Sequence, residues 1–126
     1  MTTPTQGIVL FAHGSRDPLW RAPIEAVEAH IRAHHPGVAV RCAYLELTTP
    51  DLPQAVEDLV DQGATAVTIV PMFLGTGKHA REDLPVLVAE LRARHPRVQV
   101  HVQAAIGEDP RMTALMAHIA CTPPAQ

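Results

Sequence analysis

His13, followed by Gly14-Ser15-Arg16-Asp17, and His79, preceded by Gly75-Thr76-Gly77-Lys78, each stand just beyond an apolar run, 7–12 and 66–74. Imidazole is a borderline-soft ligand for first-row divalent ions and a proton acceptor near neutral pH. Glu46 leaves a third apolar segment and adds a carboxylate. Two imidazoles and one carboxylate form a common donor set for such ions, and a set with open positions can hold an ion against a substrate and release it. The glycines beside the histidines let the backbone approach a bulky ligand. Arg16, Lys78 and Arg81 flank both histidines and suit a polyanionic substrate.

These residues need elements that bring them together. Gly7-Ile8-Val9-Leu10-Phe11-Ala12 is a continuous apolar run bounded by turn formers, as in a strand buried on both faces. Ile24, Val27 and Ile31 recur at helical spacing, with Pro23 read as lying in the first turn and Pro36 ending the helix. A second strand is expected over 38–45. Thr49-Pro50-Asp51 is read as the start of a second helix, striped by Leu52, Ala55, Val56, Leu59 and Val60 and closed at Gln62-Gly63. A third strand over 66–72 leads through a glycine-rich loop to a helix carrying Leu84, Leu87, Val88 and Leu91. A fourth strand over 98–104 precedes a last helix marked by Met112, Leu115, Met116 and Ile119.

A short internal repeat supports this alternation. Arg32-Ala33-His34-His35-Pro36-Gly37-Val38-Ala39-Val40 parallels Arg92-Ala93-Arg94-His95-Pro96-Arg97-Val98-Gln99-Val100, each a helix end feeding a strand. Strands alternating with helices through short connections imply a parallel sheet with right-handed crossovers and helices on both faces. The expected fold is therefore a three-layer α/β/α sandwich around a four-stranded parallel sheet, in strand order 2-1-3-4. Ligands of open α/β folds bind at the carboxyl edge of the sheet. His13, Glu46, His79 and Gly107 all follow strands and share that edge.

Composition narrows the alternatives. The 126 residues suit one domain spanning 1–126, with 1–6 and 122–126 expected as flexible ends; such a chain is short for a deep cleft, so a large ligand calls for a second subunit. At 47% hydrophobic but 3% aromatic, the core must be built from Val, Leu, Ile and Ala. A formal charge of −3 and no basic run argue against nucleic acid, and no apolar stretch is long enough for a bilayer. The first six residues are polar and uncharged, unlike a signal sequence, so a cytoplasmic location is expected. Cys42 and Cys121 make no disulfide framework. His34, His35 and His95 fall at helix ends, where the negative pole favours imidazole, and His30 with His34 has the spacing of a helical metal pair on a solvated face.

The segments His13-Gly14-Ser15-Arg16-Asp17, Tyr44-Leu45-Glu46, Pro71-Met72-Phe73-Leu74, Gly77, His79 and Asp83-Leu84-Pro85, with Ala105-Ile106-Gly107 and Asp109-Pro110 later, together resemble the CbiX family of small class II chelatases. The resemblance implies a chelatase domain that forms a symmetric homodimer around a shared cleft. It implies insertion of Co2+ or Fe2+, with Ni2+ accepted by the same donors, into sirohydrochlorin without ATP, in cobalamin or siroheme biosynthesis. No cofactor beyond the substrate metal is implied. The family's metal-binding histidines match His13 and His79, and its acidic residue matches Glu46. On this reading His13 and His79 hold the ion or accept the pyrrole protons, Glu46 assists, and Ser15, Arg16 and Lys78 meet substrate carboxylates. Two alternatives use the same loops. A carrier would hold metal or tetrapyrrole without accelerating insertion, and a histidine phosphatase would also run from a strand into a His-Gly turn, but with arginine where this chain has Ala12.

Overall fold

In the computed structural model, which describes residues 5–123, four parallel strands carry four helices. The elements are β1 (Thr5–Ala12), α1 (Pro18–His34), β2 (Ala39–Tyr44), α2 (Leu52–Asp61), β3 (Ala64–Pro71), α3 (Lys78–Arg94), β4 (Gln99–Val102), a 3-10 turn (Ile106–Glu108) and α4 (Pro110–Cys121). The strand order is β2-β1-β3-β4, as the alternation predicts. Thr5 and Gln6 belong to β1, paired with Ala64 and Ala66, rather than to a loose end. The other expected flexible residues, 1–4 and 124–126, lie outside the described residues, and Thr122 and Pro123 follow α4 outside regular structure.

The two faces of the sheet are packed unequally. On one, Val9, Phe11, Val67 and Ile69 meet Leu52, Ala55, Val56 and Leu59 of α2 and Ala80, Leu84, Val88 and Leu91 of α3, forming the main core. On the other, Leu10, Ala12, Val40, Cys42, Tyr44 and Val70 are covered by Ile24 and Ile31 of α1 and by Ile106. Neither α1 nor α4 buries a residue fully, so the apolar periodicity of Met112, Leu115, Met116 and Ile119 marks a helical stripe that this chain leaves half open. Leu19, Leu115 and Ile119 are 81%, 50% and 62% exposed.

Local signals account for the helix ends, with two corrections. α1 starts at Pro18, capped by Asp17, whose carboxylate accepts the Leu19 N–H at 2.9 Å; Pro23 lies inside the helix, past its first turn. α2 is capped by Asp51, which accepts from the Gln54 N–H at 2.9 Å, and its early proline is Pro53, so Thr49 and Pro50 precede the helix. β4 is shorter than the apolar run suggests, because its pairing with β3 stops at Val102. The repeat is structural: the N–H groups of His35 and His95 both close the preceding helix on Ile31 and Leu91, and Arg32 and Arg92 both donate to strand carbonyls, Val40 and Val100, at 3.3 and 2.9 Å. Glu28 adds an acceptor for the Cys42 N–H at 3.1 Å. Helix side chains thus occupy polar backbone groups on β2 and β4, the two edge strands.

Candidate metal-handling site

The strands that carry the candidate residues end level with one another. Ala12 is in register with Tyr44, and Phe11 with Pro71. Leu10, Phe11 and Ala12 are buried, and the chain emerges at His13, whose residue is exposed. The β1–β2 pairing runs on past the strands: the Leu45 N–H donates to Ala12 O at 2.9 Å and the Glu46 N–H to His13 O at 3.0 Å. Glu46 is therefore fastened by its own backbone beside His13. After Glu46 the chain reverses through Leu47 at φ 65°, a left-handed conformation that costs a residue with a Cβ roughly 1–2 kcal/mol and is often kept at functional turns.

Gly14 lets this close approach happen. Its φ is +104°, and a Cβ there would stand 1.8 Å from Glu46 O. On the neighbouring exit, the Met72 N–H donates to Phe11 O at 2.7 Å, and Phe73 turns inward, 4% exposed. Its ring lies 4.4 Å from that of His13 at 31°, and 6.1 Å from Phe11 edge-on, so Phe73 is the platform on which His13 rests. The loop is pinned from below, where the Gly107 N–H donates to Phe73 O at 2.9 Å. A Cβ on Gly107 would lie 2.1 Å from Leu74 O.

His79 arrives differently, as the second residue of α3, after an uncapped helix start at Gly77. It joins His13, Leu45, Glu46 and Asp83 around a single pocket of about 310 Å3 at the carboxyl edge of the sheet. The structure thus brings together His13, Glu46 and His79, whose strands are separate in sequence. It does not gather them tightly: among the described residues no group of three or more His, Cys, Asp or Glu side chains stands at metal-binding spacing. The donors line one pocket without converging on a common point.

Ser15, Arg16 and Lys78 do not line this pocket. The Ser15 hydroxyl accepts the Asp17 N–H at 3.1 Å and its carbonyl accepts from the Thr48 hydroxyl at 3.1 Å, while Arg16 is exposed in the same turn and Lys78 is the exposed first residue of α3. They neighbour the two histidines in sequence but lie outside the pocket lining. Three contributors were not singled out from sequence for a role: Leu45, Phe73 and Asp83. For Asp83 a signal was present, since it follows His79 by four residues, one helical turn. For Phe73 none was, because its contact with His13 crosses from one strand exit to another.

The fold is thus an α/β domain whose parallel sheet presents two histidines and a glutamate around one pocket at its carboxyl edge. The comparisons narrow it further. A sequence model of the CbiX family matches residues 7–121, and the chain belongs to that family. It is 33% identical over 82 residues to sirohydrochlorin cobaltochelatase of Methanococcoides burtonii, covering 65% of this chain and 63% of that one. It is 30% identical over 113 residues to sirohydrochlorin ferrochelatase of Bacillus subtilis, covering 90% of this chain and 43% of the relative. The crystal structure of a cobalamin (vitamin B12) biosynthesis CbiX protein from Marinobacter aquaeolei superimposes with a TM-score of 0.78 at 32% identity, covering 91% of this chain and 93% of that one. The chain therefore spans less than two thirds of the length of these two curated relatives. Among the described residues no helix is long and apolar enough to cross a membrane.

Proposed function

We propose that this chain is a metal chelatase that inserts Co2+ or Fe2+ into sirohydrochlorin without ATP, in cobalamin or siroheme biosynthesis in the cytoplasm, and that residues 1–126 act as one chelatase domain. The observation that carries this reading is the meeting of His13, Glu46 and His79 around one open pocket, in a chain of the CbiX family. Insertion removes two pyrrole protons while the ion sheds water and passes to four ring nitrogens. His13 and His79 hold the ion or take those protons, Glu46 supplies the charged oxygen donor, and Ser15, Arg16 and Lys78 meet the macrocycle's carboxylates from the rim. Beyond the substrate ion no cofactor is needed, and Ni2+ would be accepted by the same donors.

The working unit is a homodimer. A pocket of about 310 Å3 takes an ion and one edge of a macrocycle, so the other side of the substrate needs another wall. The chain matches only 43% of the Bacillus ferrochelatase, leaving room in that relative for a second unit of this size. The half-open stripes of α1 and α4 offer apolar surface for a second copy.

The test is anaerobic mixing of sirohydrochlorin with each ion, with and without protein, followed by absorbance. Wild type is expected to accelerate metallation well beyond the spontaneous rate, and His13→Ala and His79→Ala to lose at least ten-fold of that acceleration. Full rates in both variants would refute the site, and ion binding without acceleration would make the protein a carrier.

A further inference from the structure

We propose that Asp83 is a fourth coordinating group for the ion, completing a set of two imidazoles and two carboxylates; this rests on the reading of His13, Glu46 and His79 as ion-holding residues. Asp83 lines the same pocket as those three. It lies one turn beyond His79 on α3, and side chains four apart share a helix face at the spacing used by helical metal pairs. The helix is rigid and packed through Ala80, Leu84 and Val88, so this spacing is fixed whatever the loop before His79 does.

The other aspartates near helix starts have structural tasks. Asp17, Asp51 and Asp109 cap α1, α2 and α4. Among the described residues Asp83 is engaged in no hydrogen bond and no ion pair, and α3 begins without a side-chain cap. Its carboxylate is exposed and free to turn toward the pocket.

Charge gives the group a purpose. With both histidines neutral, Glu46 alone leaves a bound divalent ion with one uncompensated charge, and Asp83 cancels it. An exposed carboxylate is also a weaker holder than imidazole for Co2+ or Ni2+, so the Asp83 bond can open first as the ring nitrogens take over.

The experiment is calorimetric titration of the whole chain with Co2+ alone, without tetrapyrrole, for wild type, Asp83→Asn, Asp83→Glu and the double variant His13→Ala/His79→Ala. Asp83→Asn keeps the shape and removes the charge. It is expected to weaken Co2+ binding about ten-fold or more, since even the loss of groups that only orient a metal's ligands costs roughly ten-fold or more, with Asp83→Glu recovering part of the loss. Thermal melts without metal should coincide for wild type and both Asp83 variants, since the residue is exposed. If Asp83→Asn binds Co2+ as wild type does while the double histidine variant does not, Asp83 is no ligand although the histidine site stands. If the double variant also binds as wild type does, or wild type binds no Co2+, both readings fall.

Discussion

Gly14→Ala should damage stability and ion binding together, because one atom separates the loop that carries His13 from the loop that carries Glu46. A Cβ on Gly14 would lie 1.8 Å from Glu46 O and 2.9 Å from its carbonyl carbon. Real Cβ atoms keep about 3.0 Å from such neighbours, so the two backbones must part by about 1.2 Å. That displacement acts on the same residue pair joined by the 3.0 Å bond from the Glu46 N–H to His13 O, whose loss costs roughly 0.5–1.5 kcal/mol. Holding alanine at φ +104° adds roughly 1–3 kcal/mol. The total is about 3 kcal/mol, out of a stability of roughly 5–15 kcal/mol for a domain of this kind. Urea unfolding should show it as a lower midpoint with unchanged slope, and a melt as a fall of about 10 °C. Since the carboxylate moves away from His13, Co2+ affinity measured by calorimetry should fall about ten-fold, equivalent to about 1.4 kcal/mol. Destabilisation under about 1 kcal/mol, or Co2+ affinity within two-fold of wild type, would refute the claim that Gly14 sets the spacing of the site.

Further expectations follow from other contacts. Phe73→Leu removes the ring face beneath His13, so Co2+ binding should weaken about three- to five-fold by titration, in line with the roughly 0.5–1.5 kcal/mol of an aromatic pair. Asp51→Ala removes the α2 cap and should cost about 1 kcal/mol by urea unfolding while leaving the insertion rate unchanged. Burial, and then the nearby Glu28, pushes the Cys42 thiol up from 9.0 to about 12; burial, and then Cys42, pushes the Tyr44 phenol up from 10.0 to about 12. Both stay neutral in the fold while the unfolded chain ionises, so their contribution is present below pH 9 and drains away as pH rises toward 12. Melts should therefore drop between pH 9 and 11, less steeply in Cys42→Ala, and iodoacetamide at pH 8 should label the exposed Cys121 well before Cys42.

Much of this architecture was readable in the chain. The apolar runs ending at Ala12, Leu45 and Met72 placed three strand exits within one residue of the observed ends, and the Arg-Ala-x-His-Pro repeat placed two helix-to-strand corners, because both signals act between residues a few positions apart. Crossover handedness then left few strand orders, and the observed one is among the simplest. Local reading missed where two local signals competed. Thr49-Pro50 and Asp51 both resemble a helix start, and the side-chain bond to the Gln54 N–H decides for Asp51. Pro23 resembles a first-turn proline, yet Pro18 with the Asp17 cap starts α1 earlier.

Sequence alone determined which residue types follow the strands, His13 and Glu46 directly and His79 at the start of the next helix, since hydrophobic periodicity sets where each strand stops. Tertiary structure decided that these ends meet at one pocket, that Gly14 must lack a side chain beside Glu46 O, that Phe73 supports His13, and that Asp83 faces the same space. The physical reason is the range of the interactions. Caps and periodicity are settled within about one helical turn, whereas strand register and close backbone approaches join residues more than thirty positions apart and exist only once the sheet has formed.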